Sequence, residues 1–207
     1  MPVRVSNLSK RFGDKAVLEN LSFELPDRGI AVIEGRSGAG KTTLLNIIMG
    51  LTPPDAGVID GLAGRRVTAV FQENRLLESW SAMKNIRLVC DRAVTDAQIR
   101  AHLAEVGLSG EERTPVRVLS GGMKRRVALV RAVIAPGDIL VLDEPFKGLD
   151  ESTRGAAIRY VLRHAAERLV LLVTHDREEA LAMNAAVTIS LGGDDAWTPP
   201  CIWTGSG

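Results

Sequence analysis

Short apolar runs alternate with amphipathic segments along most of this chain. The clearest runs of strand length cover residues 30–34, 139–142 and 169–173, and weaker ones cover residues 21–25, 67–71 and 187–191. Helical spacing of apolar positions occurs at residues 41–49, 120–135, about 151–168 and 177–183. Because strands that alternate with helices usually form parallel sheets, the pattern predicts an α/β fold with a largely parallel sheet.

The strand pattern disappears between residues 73 and 119. Thr95 and Gln98 have the spacing of a capping box, and Ile99 and Leu103 follow at helical intervals. We therefore predict a mostly helical insert in this part of the chain.

One domain over residues 1–207 accounts for the whole pattern. We predict a core from residues 1–72 and 136–191 and a helical subdomain over residues 73–135. Residues 192–207 are rich in Gly, Asp, Pro and Thr without periodicity, which predicts an irregular tail.

The composition excludes several classes of protein. Lys and Arg total 26 and Asp and Glu total 25, a balance that argues against a strongly basic nucleic-acid binder. Cys90 and Cys201 lie far apart and outside any Cys/His cluster, so a zinc site or disulfide framework is not expected. Two histidines, His102 and His164, are interpreted as structural residues. With no apolar leader at the N-terminus, we expect a cytoplasmic protein.

A glycine-rich loop joins the predicted strand at 30–34 to the predicted helix at 41–49. Residues 35–42 fit the pattern G-x-x-x-x-G-K-[ST], in which backbone N–H groups surround phosphate oxygens. Lys41 would supply a positive charge to the β- and γ-phosphates, and the Thr42 hydroxyl could bind Mg²⁺. GTPases, small-molecule kinases and motor ATPases share this loop, but the guanine-reading N-K-x-D pattern is absent.

Two acidic residues follow the apolar run at 139–142. If this run is a parallel strand, Asp143 and Glu144 lie at the same sheet edge as the phosphate loop. Asp143 could hold Mg²⁺, and Glu144 could polarise a water molecule. Acids that merely end a strand at a solvated loop are the alternative interpretation.

Further short motifs carry a resemblance to a known family. They are Leu119-Ser120-Gly121-Gly122-Met123, Gln72 in Val-Phe-Gln-Glu, Gly148-Leu149-Asp150 after the acidic pair, His175 in Val-Thr-His-Asp, and Phe12 before Gly13. In this order they resemble the motifs of the ATP-binding cassette ATPases, the nucleotide-binding subunits of ABC transporters. The resemblance covers residues 3 to about 191.

The resemblance implies a fold, a set of ligands and a set of site residues. The fold would be a P-loop NTPase core with a mixed, mainly parallel sheet, an N-terminal antiparallel β portion and the inserted helical subdomain. The ligands would be ATP and Mg²⁺, with the metal held by Thr42, Gln72 and Asp143. The catalytic residues would be Glu144, His175, Lys41 and Gln72. ATP would be contacted by Phe12, Gly35, Ser37, Gly38, Gly40, Lys41, Thr42, Thr43, Ser120, Gly121, Gly122 and Asp150.

The resemblance also implies partners. Ser120–Gly122 would close over the ATP of a second ATPase subunit in a head-to-tail dimer, either an identical copy or a sister chain. The dimer would drive a membrane-spanning permease, with a solute-binding protein in the same system, no nucleic acid, and a peripheral position on the inner face of the membrane. The 73–119 insert would carry the docking surface, where Trp80 is either a contact or a packing residue.

Several residues have a second interpretation. Phe12 could be a core aromatic, Gln72 an ordinary polar residue at a strand end, and His175 a hydrogen-bonded polar residue. The run Lys124-Arg125-Arg126 is interpreted as a solvated helix face without a role in nucleic-acid binding. Met123 replaces the usual glutamine, and Lys147 is bulkier than the residue often found there.

The sequence Ser-Gly-Gly-Met followed by basic residues resembles that of the ATPases of importers of the nitrate, sulfonate and taurine type. An exporter, a lipoprotein-release or cell-division ATPase, a soluble cassette protein of DNA repair or ribosome function, and a small-metabolite kinase are the alternatives. Neither the cargo nor the choice between two identical and two sister subunits can be read from this sequence.

Overall fold

The computed structural model describes residues 1–192. Residues 193–207, which include Cys201 and all of the predicted irregular tail except Gly192, therefore lie outside the described part of the chain. In chain order the strands are β1 Val3–Phe12, β2 Lys15–Leu25, β3 Gly29–Gly35, β4 Ala56–Asp60, β5 Val67–Val70, β6 Ile139–Asp143, β7 Leu169–Val173 and β8 Val187–Leu191. The helices are α1 Lys41–Ile48, α2 Ala82–Arg87, α3 Asp96–Glu105, α4 Gly121–Ile134, α5 Glu151–His164 and α6 Arg177–Ala182, with a short 3₁₀ turn at Val116–Val118.

Five strands form a parallel sheet in the order β5-β6-β7-β3-β8. Every residue of β6 and β7 is buried, as expected for central strands covered on both faces. The α/β prediction is confirmed, and the observed helix α5 ends a turn earlier than the pattern predicted.

A second, antiparallel sheet pairs the strands in the order β2-β1-β4. The apolar pattern revealed only the second half of β2 and neither β1 nor β4. The alternation in β1 is interrupted where the register shifts between Val5 and Leu8, and Asn7 there has a positive φ of 50°. In β4 only Ile59 is not fully exposed, so this edge strand carries almost no hydrophobic signal.

Helices cover the two faces of the parallel sheet unequally. Side chains alternate along each strand, so neighbouring residues face opposite layers. Leu140 and Leu142 of β6 pack into a layer formed mainly by α2 to α5, while Ile139 and Val141 pack with α1 and the antiparallel sheet.

Between residues 73 and 135 the chain forms α2, α3, the 3₁₀ turn and α4, and no strand of the described chain falls there apart from an isolated bridge between Ser81 and Pro115. Thr95 forms the capping box with Gln98 that the sequence predicts at the start of α3. The boundaries of a helical subdomain at 73 and 135 remain a prediction. Among residues 1–192, no helix has the length and apolar character required to cross a membrane.

Candidate functional site

The carboxyl ends of four neighbouring strands lie at one edge of the parallel sheet. The 35–40 loop follows β3, Gln72 follows β5, Asp143 ends β6, and His175 follows β7. Together they line a cleft of about 360 Å³. The cleft contains Gly35, Ser37, Gly38, Gly40, Lys41, Thr42, Thr43, Gln72, Asp143, Glu144 and His175 of the predicted residues. Such an edge is where open α/β sheets bind their ligands.

The loop that enters α1 depends on glycine at two positions. Gly35 has φ 149°, and a Cβ there would lie 2.4 Å from the carbonyl oxygen of Leu191. Gly40 has φ 92°, and a Cβ there would lie 2.8 Å from the carbonyl oxygen of Val17. Any side chain would therefore push the loop away from β8 or β2. The glycines hold a turn whose backbone can approach a ligand closely.

The amino end of α1 is open. No side chain caps the helix at Gly40, so the first-turn N–H groups can be satisfied by an anion in the cleft. The Lys41 ammonium donates hydrogen bonds to the carbonyl oxygens of Gly35 at 2.7 Å and Arg36 at 3.0 Å. These contacts keep the positive charge inside the loop.

A hydroxyl and a carboxylate meet at the floor of the cleft. The Thr42 hydroxyl lies 3.5 Å from a carboxylate oxygen of Asp143, which is 7% exposed. Burial and the neighbouring Glu144 charge raise the pKa of Asp143, because both oppose its ionised form. A divalent cation would offset that cost, and oxygen ligands are the kind Mg²⁺ prefers. The donor set fits this ion.

Glu144 is held in an unusual backbone conformation. Its φ is 46°, a left-handed value that non-glycine residues adopt at a cost and that often marks functional sites. Its carboxylate accepts a hydrogen bond from Lys147 at 2.8 Å and lies 3.4 Å from Nδ1 of His175. The Lys147 hydrogen bond is the largest cause that lowers the pKa of Glu144, and His175 acts in the same direction. The His175 side chain is 69% exposed and therefore accessible to a ligand.

Arg125 corrects the interpretation of the basic run as a solvated helix face. It is 4% exposed and lies beneath the cleft. Its guanidinium donates to the carbonyl oxygens of Phe71 and Gln72 after β5 and to Oδ1 of Asn74. It also donates to the carbonyl oxygens of Asp143 at the end of β6 and of Glu144 and Pro145 after it. One side chain of α4 thus ties together the loops that carry Gln72 and Glu144. Lys124 remains half-buried at the surface, where it pairs with Glu78.

Five predicted ligand residues do not line the cleft: Phe12, Ser120, Gly121, Gly122 and Asp150. Phe12 is 54% exposed at the end of β1, with the Lys10 ammonium 5.5 Å from its ring centre. Lys15, its partner across the hairpin, does line the cleft, as does Val17. The sequence reasoning missed both, although a hairpin around Gly13 would have placed Lys15 opposite Phe12.

The segment 120–122 lies beside 148–150 instead. Ser120 caps α4 by accepting a hydrogen bond from the N–H of Met123 at 3.2 Å. A Cβ on Gly122 would lie 3.4 Å from the side chain of Leu149. Asp150 caps α5 through the N–H of Thr153 at 2.9 Å. The second glycine motif and the 148–150 turn therefore share one surface outside the cleft.

Two more residues singled out from the sequence have clear positions. Trp80 is 40% exposed within the helical stretch, so it is neither fully packed nor fully free. Cys90 is half-buried, and its thiol donates to the carbonyl oxygen of Ile86.

Comparison with known proteins gives consistent matches. Residues 18–147 match the family described as ABC transporter. An aliphatic sulfonates import ATP-binding protein of Rhodococcus jostii is 42% identical over 91% of this chain and 71% of its own length. A protein of the same description from Paraburkholderia xenovorans is 41% identical over 93% of this chain and 78% of its own. One from Streptomyces avermitilis is 39% identical over 90% and 76%.

All three relatives are named as import ATP-binding proteins. The names therefore agree with the importer interpretation of the sequence. They do not favour an exporter, a lipoprotein-release complex or a cell-division complex.

Proposed function

This chain belongs to the ABC transporter family as an ATP-hydrolysing import subunit, and we propose that two subunits close head to tail around ATP to power uptake. Each cleft would hold the triphosphate of one ATP. The 120–122 segment of the other subunit would complete the site. The observation that carries this proposal is the open amino end of α1 in the cleft, together with a second glycine-rich helix start that does not line the cleft.

The residues of the cleft have distinct roles in this proposal. Backbone N–H groups of the loop and the Lys41 ammonium would bind the β- and γ-phosphates. Phe12, on the rim near Lys15, would stack on the adenine ring. Thr42 and Asp143, with Gln72, would hold Mg²⁺, which supplies positive charge to the phosphate oxygens.

Hydrolysis requires an oriented water and stabilised negative charge. Glu144 would accept a proton from the water while the water oxygen attacks the γ-phosphorus. The bond between the γ-phosphorus and the β–γ bridging oxygen would break in the same step. Lys41 and His175 would stabilise the charge on the transferred group. The products are ADP and inorganic phosphate, and their departure would let the subunits separate.

The transport system would include a permease and a solute-binding protein. The 73–119 insert, including Trp80, would contact a cytoplasmic segment of the permease at the inner face of the membrane. Because the named relatives import aliphatic sulfonates, a small organic sulfonate is the solute class that we propose.

The Glu144→Gln variant tests the catalytic assignment. The amide keeps the size of the side chain but cannot accept the proton, so we expect ATP binding to persist while hydrolysis falls at least about 100-fold. Sedimentation should then show an ATP-dependent dimer that persists for longer than that of the unmodified chain. Glu151→Gln, an exposed glutamate in the first turn of α5, is the matched control and should behave as the unmodified chain. Normal hydrolysis by Glu144→Gln would refute the role of Glu144.

Reconstitution tests the transport proposal. The chain should co-purify with its permease, and hydrolysis in vesicles should rise when the solute-binding protein carries an aliphatic sulfonate. Stimulation by nitrate alone would redirect the solute class. Absence of any effect of the permease on hydrolysis would overturn the import role.

A further inference from the structure

Two histidines and a glutamate meet where α3 and α5 end. His102 and Glu105 lie in the last turn of α3, and His164 is the last residue of α5. Nε2 of His164 lies 3.0 Å from both carboxylate oxygens of Glu105, and the two imidazole rings have centres 4.7 Å apart. All three side chains are half-buried, and none of them lines the cleft. The interpretation of these two histidines as structural residues does not explain why the three side chains lie together.

A buried tyrosine orients one of the rings. The hydroxyl of Tyr160, which is 2% exposed, lies 2.9 Å from Nδ1 of His102. This contact occupies Nδ1 and leaves Nε2 as the nitrogen that can bind a ligand. Metal-binding histidines are commonly held by such a partner on the second ring nitrogen.

We propose that His102, Glu105 and His164 form a three-ligand site for a divalent transition-metal ion of the Zn²⁺ type. One ligand atom from each residue lies within 4.8 Å of the others. Tetrahedral Zn²⁺ with bonds of about 2.0–2.2 Å requires ligand atoms about 3.3 Å apart, so small side-chain rotations suffice. Two nitrogens and one carboxylate oxygen are a common zinc set, with a fourth position open to water.

The surrounding electrostatics favour a cation at this point. Both α3 and α5 end here, and the carboxyl end of a helix carries partial negative charge. The one opposing charge that contacts the cluster in the described chain is Arg163, whose exposed guanidinium lies 3.0 Å from Glu105. That side chain can move into solvent, because it is 69% exposed.

A bound ion would link two parts of the chain. The helix α3 belongs to the helical stretch between β5 and β6, and α5 lies between β6 and β7. The metal would fasten these helices together at their ends. Metal binding should therefore raise the melting temperature of the full chain.

Titration of the full, chelator-treated chain with Co²⁺ and Zn²⁺ tests the site without reference to ATP hydrolysis. We expect Co²⁺ to bind one ion per chain with visible absorption bands of tetrahedral geometry, and Zn²⁺ to displace it. The measurement is made in a Cys90→Ala, Cys201→Ala background so that thiols do not contribute. Zn²⁺ should also raise the melting temperature by several degrees.

Variants separate the site from adventitious binding. His102→Asn and His164→Asn should each lower the Zn²⁺ affinity at least about tenfold and remove the melting shift. Arg163→Gln, which removes a competing partner of Glu105 and no ligand, should retain or tighten binding. His175→Asn should leave the affinity unchanged. Binding that survives both ligand variants, a shift that persists in them, or no saturable binding would overturn the proposal.

Discussion

The chain presents two glycine-rich helix starts, and the fold uses them differently. At the start of α1, Gly40 provides no side-chain cap, and the open N–H groups face the cleft beside Lys41. At the start of α4, the Ser120 side chain already caps the helix, and the segment lies on another surface beside Leu149. Two similar local sequences therefore lie in different environments, the first in the wall of the cleft and the second on an exposed surface outside it.

The difference indicates which part of the proposed ATP site a single chain would supply. In the proposed function one helix end would bind a triphosphate within its own cleft, but the other would need a nucleotide presented from outside the molecule. Two copies arranged head to tail would satisfy both ends at once.

Removing the charge at the start of α1 should have the largest effect. Lys41→Ala should lower ATP hydrolysis at least about 100-fold and weaken ATP binding, because the ammonium is the cation next to the loop carbonyls. Binding is measured with a fluorescent ATP analogue and hydrolysis by phosphate release. Lys84→Ala, an exposed lysine in α2, is the control and should change neither.

Adding a negative charge at the start of α4 should affect hydrolysis but not ATP binding by one chain. Nothing lies within 4 Å of a Cβ on Gly121, and an acid there suits the helix dipole. Gly121→Asp should thus fold normally, with a free energy of unfolding within about 0.5 kcal/mol of the unmodified chain. Hydrolysis should fall about tenfold or more through repulsion of the second subunit's phosphates. Gly121→Ala is the uncharged control.

A mixture of these two variants gives the sharpest comparison. In a head-to-tail dimer of Lys41→Ala with Gly121→Asp, one of the two sites combines an intact loop with an intact 120–122 segment. Random mixing makes half of the dimers heterodimers, so hydrolysis should recover to about a quarter of the unmodified level. No recovery would contradict a head-to-tail dimer in which each site works independently, and full hydrolysis by Gly121→Asp alone would mean that each chain acts alone.

Breaking the contact beneath the cleft should have an intermediate effect. Arg125→Met leaves several buried carbonyl oxygens of the 71–72 and 143–145 loops without a donor. We expect the free energy of unfolding to fall by about 2–4 kcal/mol and kcat to fall about tenfold, with KM for ATP changed less. Arg125→Lys should recover part of kcat. A fall in apparent kcat that equals the fraction of unfolded protein, with no further loss per folded molecule, would assign Arg125 to stability alone.

The smallest effect concerns the pH dependence of hydrolysis. Lys147 is the main cause of the lowered pKa of Glu144, and the proposed role of Glu144 as a base requires the ionised carboxylate. Without that partner the pKa rises, so Lys147→Ala should move the acid limb of the kcat profile to higher pH. Lys147→Arg should leave it in place. An unchanged limb in Lys147→Ala would show that the ion pair is absent during turnover.

Sequence reasoning succeeded where one element carries its own signal. The apolar strands β6 and β7 could be predicted because they are buried on both faces, and the loop before α1 could be recognised from its glycine spacing. The strands β1 and β4 could not, because bulges break the alternation in one and exposure removes it from the other. Lys15 was missed for the same reason, since its place in the cleft depends on the β1–β2 hairpin.

By itself, the sequence determined the α/β class, the glycine-rich loop between β3 and α1 and the order of the motifs, because these depend on local periodicity and spacing. Only the tertiary structure decided which distant residues meet. It buried Arg125 under two loops, separated the helix start at Ser120 from the cleft, and joined His102 to His164 across two helices. Such contacts depend on the strand order and on helix packing, and these bring together residues that are far apart in the chain.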